Sequence, residues 1–341
     1  MISDFGALES RLQTYQAAVD AAARQLLTSS PEHAALYDMI RYHLGWTDQP
    51  SVGTPARGKQ LRPSLCLLVA DVVGGDWRVA LPAATAIELV HNFSLIHDDV
   101  MDGDALRRHR PTVWALFGVG QAITAGDALA ALANRLLQED PRPEARAAAI
   151  ELGRATAQMI QGQSEDLAFE SRLDVTEREC LAMSAHKTGA LLGCAGAVGA
   201  IFGGGDATAV RRLRSFGRHL GLAFQAVDDV LGIWGDPSTT GKPVASDVRQ
   251  HKKSIPVVHA LRTGGAAGRE LGALLSGGEL SGDRLSKAVA LLEATGSHAF
   301  TEGLAARRLG LALAELDGGG FDAEPAQELR RLARFVLRRA F

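Results

Sequence analysis

The side chains best suited to chemistry in this sequence are two acidic pairs, Asp98-Asp99 and Asp228-Asp229, each at the end of an apolar run. The first lies in Ala-Ile-Glu-Leu-Val-His-Asn-Phe-Ser-Leu-Ile-His-Asp-Asp-Val-Met-Asp, residues 86–102. On a helix Asp98 and Asp102 are four residues apart and share a face. Two carboxylates so placed repel unless a cation lies between them. Mg²⁺ suits the place, because it takes one or two carboxylates together with the phosphate oxygens of a substrate. Arg107-Arg108 and Pro111 follow, so acid for a metal is succeeded by base for a phosphate. A solvated acidic helix end would carry the same residues, but the apolar run up to Ile96 puts these carboxylates at the mouth of something buried.

The second pair repeats the logic in Phe224-Gln225-Ala226-Val227-Asp228-Asp229-Val230-Leu231-Gly232. Gly235-Asp236-Pro237, Gly241-Lys242-Pro243, Asp247 and Lys252-Lys253-Ser254 come after it. A Gly- and Pro-bearing loop with lysines can fold over a diphosphate and keep water from it.

Helices must position these groups. Apolar residues recur at three- and four-residue spacing in Leu8–Leu27, Leu61–Val73, Leu81–Ile96, Ala145–Ile160, Val210–Ile233 and Leu329–Phe341. Alternating strand patterns are scarce, and abundant Ala and Leu suit closely packed helices. Breaks fall at Gln49–Gly58, Gly103–Pro111, Gly203–Gly205, Gly235–Pro243, Gly264–Gly268 and Gly318–Gly320. None resembles a linker between independent domains, so residues 1–341 read as one all-α domain, a helical bundle with two facing helices that carry the acidic pairs.

The net charge of −3 excludes a global field for nucleic acid or an anionic membrane, so any grip on an anion must come from local Lys and Arg. Cys66, Cys180 and Cys194 are odd in number and widely spaced, which argues against a disulfide framework or a zinc site and fits a reducing compartment. The opening stretch has no basic start followed by an apolar segment. The longest uncharged run, Gly189–Gly205, is short of the ~20 strongly apolar residues that span a bilayer and reads as a tightly packed buried helix. A cytoplasmic protein is the expectation.

Several motifs in order over Gly58 to Pro256 resemble those of the trans-isoprenyl diphosphate synthases, the polyprenyl synthetase family. Gly58-Lys59-Gln60-Leu61-Arg62-Pro63 is similar to the family's isopentenyl diphosphate grip, with Lys59 and Arg62 as its cations and His91 as a third ligand. Asp98, Asp99 and Asp102 match the first aspartate-rich motif. Arg107 resembles the arginine that holds the allylic diphosphate, and Arg108 the one that holds isopentenyl diphosphate. Gly162-Gln163 with Asp166 is similar to the Gly-Gln-x-x-Asp segment, and Lys187-Thr188-Gly189 to the allylic diphosphate clamp. Gln225, Asp228 and Asp229 match the second motif, with Lys242 and Lys252 as loop lysines. Two positions depart from the pattern: Gly232 stands where a third aspartate is expected, and His251 where glycine is usual.

The resemblance implies an isoprenoid synthase fold around a deep cavity and a homodimer. It implies that Asp98, Asp99, Asp102, Lys187 and Asp228 serve catalysis, with Asp98, Asp102 and Asp228 holding three Mg²⁺. These ions, Arg107, Lys187 and Lys242 would neutralise a departing allylic diphosphate, while isopentenyl diphosphate on Lys59, Arg62 and Arg108 attacks through its double bond. Thr188, Gln225 and Lys252 complete the binding set. Phe93, five positions before Asp98, with the small Ser94 beside it, is similar to the twenty-carbon type, so geranylgeranyl diphosphate is the expected product and farnesyl diphosphate the alternative. A class I terpene cyclase would need an Asn/Asp, Ser/Thr and Glu metal motif that is not seen here. A non-catalytic partner subunit would not need the intact first cluster.

Overall fold

The computed structural model describes residues 3–28, 34–46, 60–236, 244–321 and 323–337. Helices form nearly all of it, and the strands among the described residues are a two-residue ribbon, β1 (Leu106–Arg107) against β2 (Arg110–Pro111). In chain order the helices are α1 (Ser3–Thr28), α2 (Ala34–His43), α3 (Leu61–Gly74), α4 (Leu81–Met101), α5 (Val113–Phe117), α6 (Val119–Gln138), α7 (Pro143–Glu170) and α8 (Glu177–Ser184). A π-turn, Ala185–Gly189, leads into α9 (Ala190–Phe202) and α10 (Ala207–Trp234). Then come α11 (Ser246–Arg249), α12 (Ile255–Thr263), α13 (Gly265–Leu275), α14 (Gly282–Ala294), α15 (Ser297–Asp317) and α16 (Ala323–Leu337). Local signals start and stop them. Thr176 and Glu179 form a reciprocal capping box on α8, and Gly75, at φ 81°, ends α3.

The chain divides into two compact units. One comprises Met1–Thr156, Cys194–Arg214 and Phe321–Leu329. In it α4 packs along α6 and α3, and α1 covers α3 and α4. Leu65, Leu67, Leu68, Ile87, Leu89 and Ile96 lose essentially all exposure, each contributing roughly 1.5–3 kcal/mol relative to a solvated position. The uncharged run is the buried helix its composition predicts: Ala190 to Ala200 are buried throughout. Its glycines permit the approach, since a β-carbon on Gly199 would overlap the Cys66 carbonyl.

The other unit comprises Ala157–Gly193, Ser215–Gly320 and Arg330–Phe341. Phe169, Val175, Cys180, Met183, Val227, Ile255 and Val258 form one of its cores. Ile233, Val248, Val257, Leu271, Leu280 and Leu292 form another.

The three cysteines are free and buried. One helical stretch, Trp77–Met101, is long and apolar enough to cross a bilayer, and 67% of its most apolar window is buried inside the protein. Core packing accounts for that hydropathy. The expected break at Gly264–Gly268 is shorter than the glycines suggest, because α13 begins at Gly265. Gly268 lies inside it to let the helix approach the Ala260 carbonyl.

His251 has φ 56°, in the left-handed region. This explains why the matching family position favours glycine. The strain costs about 1–2 kcal/mol, partly offset because glycine would add unfolded-state entropy of about 0.4–1 kcal/mol. His251→Gly is therefore expected to stabilise the fold by roughly 0.5–1 kcal/mol. Thermal unfolding of the two proteins checks it, and a lowered midpoint would show that the His251 ring makes compensating contacts.

Candidate functional site

Each acidic pair is divided between two environments. Asp98 and Asp102 are half-exposed at the end of α4, whereas Asp99 is 1% exposed. Asp102 caps the helix by donating its N–H to the Asp98 carbonyl at 2.8 Å, so the helical register holds through the motif and the two carboxylates share a face. Asp99 faces inward. Its Oδ1 accepts from Arg107 Nε at 2.8 Å and pairs with Arg107 Nη2 at 2.7 Å. Burial works to raise the Asp99 carboxyl, and the guanidinium works against it.

Asp228 is likewise half-exposed on α10 and Asp229 is buried. Asp229 Oδ1 accepts from Gln225 Nε2 at 2.7 Å, and Oδ2 from the Ile255 backbone N–H at 2.8 Å. Thr188 Oγ1 donates to Gln225 Oε1 at 2.5 Å, so Thr188, Gln225, Asp229 and the start of α12 form one chain of hydrogen bonds. The outer member of each pair can meet a ligand. The inner member anchors its surroundings.

Among the described residues no three His, Cys, Asp or Glu side chains close a protein-only metal cage. Asp98, Asp102 and Asp228 offer hard oxygen donors, singly or as an i,i+4 pair. In each unit by itself such donors fit Mg²⁺, which keeps waters and takes the rest of its shell from phosphate oxygens.

The missing third aspartate of the second motif has a spatial explanation. A β-carbon on Gly232 would overlap the Asp247 carboxylate, whose Cγ would lie 2.6 Å away. Asp247 thus occupies the space next to the vacant motif position, and its backbone carbonyl accepts the Lys252 N–H at 2.9 Å. Asp247 is thus the carboxylate that a side chain at position 232 would meet. Lys252 is half-buried. Its neighbour Lys253 is the buried lysine, donating to the carbonyls of Glu170 and His251 at 2.9 and 2.8 Å.

Lys187 and Thr188 sit in the π-turn, an irregularity that re-aims side chains and recurs at functional sites. Lys187 Nζ donates to Asp166 Oδ2 at 2.6 Å. Gly162 makes this possible: a β-carbon there would overlap the Lys187 backbone nitrogen and lie 2.7 Å from its Cα. The Gly-Gln-x-x-Asp segment is therefore one device, the glycine for close approach and Asp166 for the lysine.

The basic residues gather on the α4 side of the first unit. Arg107 pairs with Arg110 across the ribbon, leaving Arg108 and His109 as the two turn residues. Both are left-handed, with φ 51° and 62°, at about 1–2 kcal/mol each for non-glycine residues. This turn holds Arg108 exposed, with no hydrogen bond or ion pair to a described residue. In α3, Arg62 Nη1 lies 3.3 Å from His91 Nε2. A guanidinium only donates, so Nε2 accepts and the His91 proton sits on Nδ1. Burial and the nearby arginines hold His91 neutral, far below its ordinary range. Phe93 is buried in edge-to-face contact with His97 at 4.9 Å, and Ser94 Oγ donates to the His91 carbonyl at 2.8 Å. Lys59 and Lys242 lie outside the described residues.

Sequence reasoning missed Glu88, a buried carboxyl one turn from His91. Its Oε1 accepts from Asn92 Nδ2 at 3.0 Å, and Oε2 has no partner. Burial pushes it up to about 7. Folding therefore takes up a proton there. That contribution is intact below about pH 4.5 and is lost as pH rises through about 7. Glu88→Gln is expected to gain on the wild type by up to about 3 kcal/mol between pH 5 and pH 8. Thermal unfolding at the two pH values measures this, and a stability difference that ignores pH contradicts it.

Comparison with known proteins agrees with this geometry. The polyprenyl synthetase family model matches residues 46–292. The chain is 44% identical over 308 residues to a (2E,6E)-farnesyl diphosphate synthase of Mycobacterium tuberculosis, covering 88% of this chain and 85% of that one. It is 42% identical over 307 residues to a geranylgeranyl diphosphate synthase of the same organism, with 89% and 87% covered. A crystal structure of a polyprenyl synthetase from Streptomyces coelicolor superposes with a TM-score of 0.89 at 42% identity over 96% of this chain and 99% of that one. A geranylgeranyl pyrophosphate synthase from Corynebacterium glutamicum, solved with isoprenyl diphosphate and magnesium, gives 0.81 at 26% identity over 98% of each. The chain belongs to the polyprenyl synthetase family.

Proposed function

We propose that this protein joins isopentenyl diphosphate head to tail with an allylic diphosphate to make a short-chain trans-prenyl diphosphate, most simply geranylgeranyl diphosphate. Farnesyl diphosphate is the alternative, favoured by the 44% identity to a farnesyl diphosphate synthase. The observation that carries the reading is the division of both acidic pairs, which leaves Asp98, Asp102 and Asp228 half-exposed while Asp99 and Asp229 anchor their surroundings.

In this reading Asp98, Asp102 and Asp228 would hold Mg²⁺, three ions in all, to supply counter-charge for the allylic diphosphate. When bound, Mg²⁺ supplies positive charge where negative charge grows on the leaving group. Lys187, fixed by Asp166, and Arg107, fixed by Asp99, add charge that needs no reorganisation during reaction. Lys242, Lys252, Thr188 and Gln225 complete that grip. Lys59, Arg62, Arg108 and the Nδ1–H of His91 hold isopentenyl diphosphate, whose double bond attacks the allylic carbon. The buried apolar wall of α4 keeps water from the allylic cation. The proton lost after bond formation passes to the released diphosphate. All 341 residues act as one isoprenoid synthase domain, in a cytoplasmic homodimer. Three buried free thiols support a reducing compartment.

Incubation with labelled isopentenyl diphosphate, each allylic starter and Mg²⁺, followed by sizing of the alcohols, tests the assignment. Twenty-carbon product is expected, and no condensation with any starter defeats it. Phe93→Ala, which removes a buried ring below the first motif, is expected to lengthen the product by at least one five-carbon unit. An unchanged product would place the limit on another residue.

A further inference from the structure

A small cavity of about 40 Å³ lies beside the hairpin, lined among others by Asp99, Arg107, Arg108, Arg110 and Thr112. Tyr42 and His43, at the end of α2, also line it, with His43 within electrostatic reach of all three arginines. That helix end is fastened to the hairpin by Tyr42. The Tyr42 hydroxyl donates to the Pro111 carbonyl at 2.8 Å, the Arg110 guanidinium lies 4.3 Å over its ring, and Phe117 packs edge-on at 5.9 Å. Three tethers at residue 42 leave residue 43 little freedom. The strained turn constrains Arg108 from the other side.

We propose that His43 is a binding residue for the diphosphate of isopentenyl diphosphate, donating a ring N–H alongside Arg108 and His91. This rests on the substrate assignment above. The cavity holds an excess of cationic side chains over Asp99 alone, so an anion is the ligand it is built to take. Burial, and then the neighbouring guanidiniums of Arg107, Arg108 and Arg110, push the imidazole down to about 3, against a hydrogen bond between the ring and the Asn92 side chain; the diphosphate takes the single N–H of the neutral ring in place of that partner. A group so weakly basic does not abstract a proton in the reaction. It serves as an uncharged donor, which lets it sit among arginines without repulsion.

The test is calorimetric titration of the full-length protein with isopentenyl diphosphate alone, with no allylic substrate present so that nothing reacts. His43→Phe keeps the ring and loses the donor. Its affinity for isopentenyl diphosphate should fall about tenfold, the scale of one hydrogen bond to a charged group. In steady state KM for isopentenyl diphosphate should rise by the same factor, with KM for the allylic starter within twofold. His43→Gln, which keeps an N–H, should stay within threefold of wild type. Wild-type affinity in the Phe variant, or equal losses in both variants, overturns the role. So does a His43 ring N–H resonance in the wild type that stays put at saturating isopentenyl diphosphate, a readout independent of whether the Phe variant folds. Arg62→Ala and Arg108→Ala locate any failure. If both bind like wild type, the substrate assignment falls; if they weaken binding and His43→Phe does not, only the role of His43 falls.

Discussion

Asp98→Ala is expected to lower kcat by at least about 10²-fold, the usual scale for losing one preorganised group that stabilises developing charge. The carboxylate is half-exposed at a helix end, so its removal leaves no cavity and the fold should survive. Arg62, His91 and Arg108 remain in place, so KM for isopentenyl diphosphate should change little. That pattern, kcat lost and binding of the second substrate kept, marks an interaction made mainly in the transition state. Steady-state kinetics at saturating Mg²⁺ reads it. Near-normal turnover would remove Asp98 from the metal site and leave the proposed chemistry without its main electrostatic device.

Gly162→Ala is expected to do comparable damage with a single methyl group. The added carbon would overlap the Lys187 backbone nitrogen and approach the His186 carbonyl carbon to 2.9 Å. Backbone cannot turn aside as a side chain can, so α7 and the π-turn must part. Overpacking of this kind costs roughly 1–3 kcal/mol. The functional loss is larger: Lys187 leaves its 2.6 Å contact with Asp166, and misplacement of a positioning group by ~1 Å can cost about 10²-fold in rate. Gly153→Ala on the same helix is the control, since a β-carbon there meets nothing. Its activity should be unchanged and its stability equal or higher. A Gly162→Ala protein with a lower melting temperature and full kcat would show that Lys187 is not a charge-stabilising group.

Most of the site was legible wherever function forces residue types into short spacing. Asp98 and Asp102 need only a helix to meet, and the helix follows from the apolar period of α4. Arg107 and Arg108 were legible as cations, but their separate roles depend on a left-handed turn that no propensity favours at Arg-His. Gly232 looked like a defect because the side chain that fills its space, Asp247, lies fifteen positions later in the chain. Distance in sequence also hid His43, whose signal is only a tyrosine-histidine step before a Gly- and Pro-bearing stretch. The π-turn was illegible for a different reason. Its register is fixed by what packs on Gly162, and local preference says nothing of that. Gly264–Gly268 misled because glycine marks both a bend and a close approach, and only the neighbour at Ala260 tells which.

The division of each acidic pair has a consequence for how genetic variation in this protein would read out. A survey scored by growth alone would rank both aspartates of a pair as intolerant and suggest a shared duty. A survey scored by how much protein accumulates would part them: loss of the outer carboxylate leaves a full complement of idle enzyme, and loss of the inner one depletes the enzyme itself. Cells could offset the second kind of lesion by overproduction or a chaperone. The first has no such remedy.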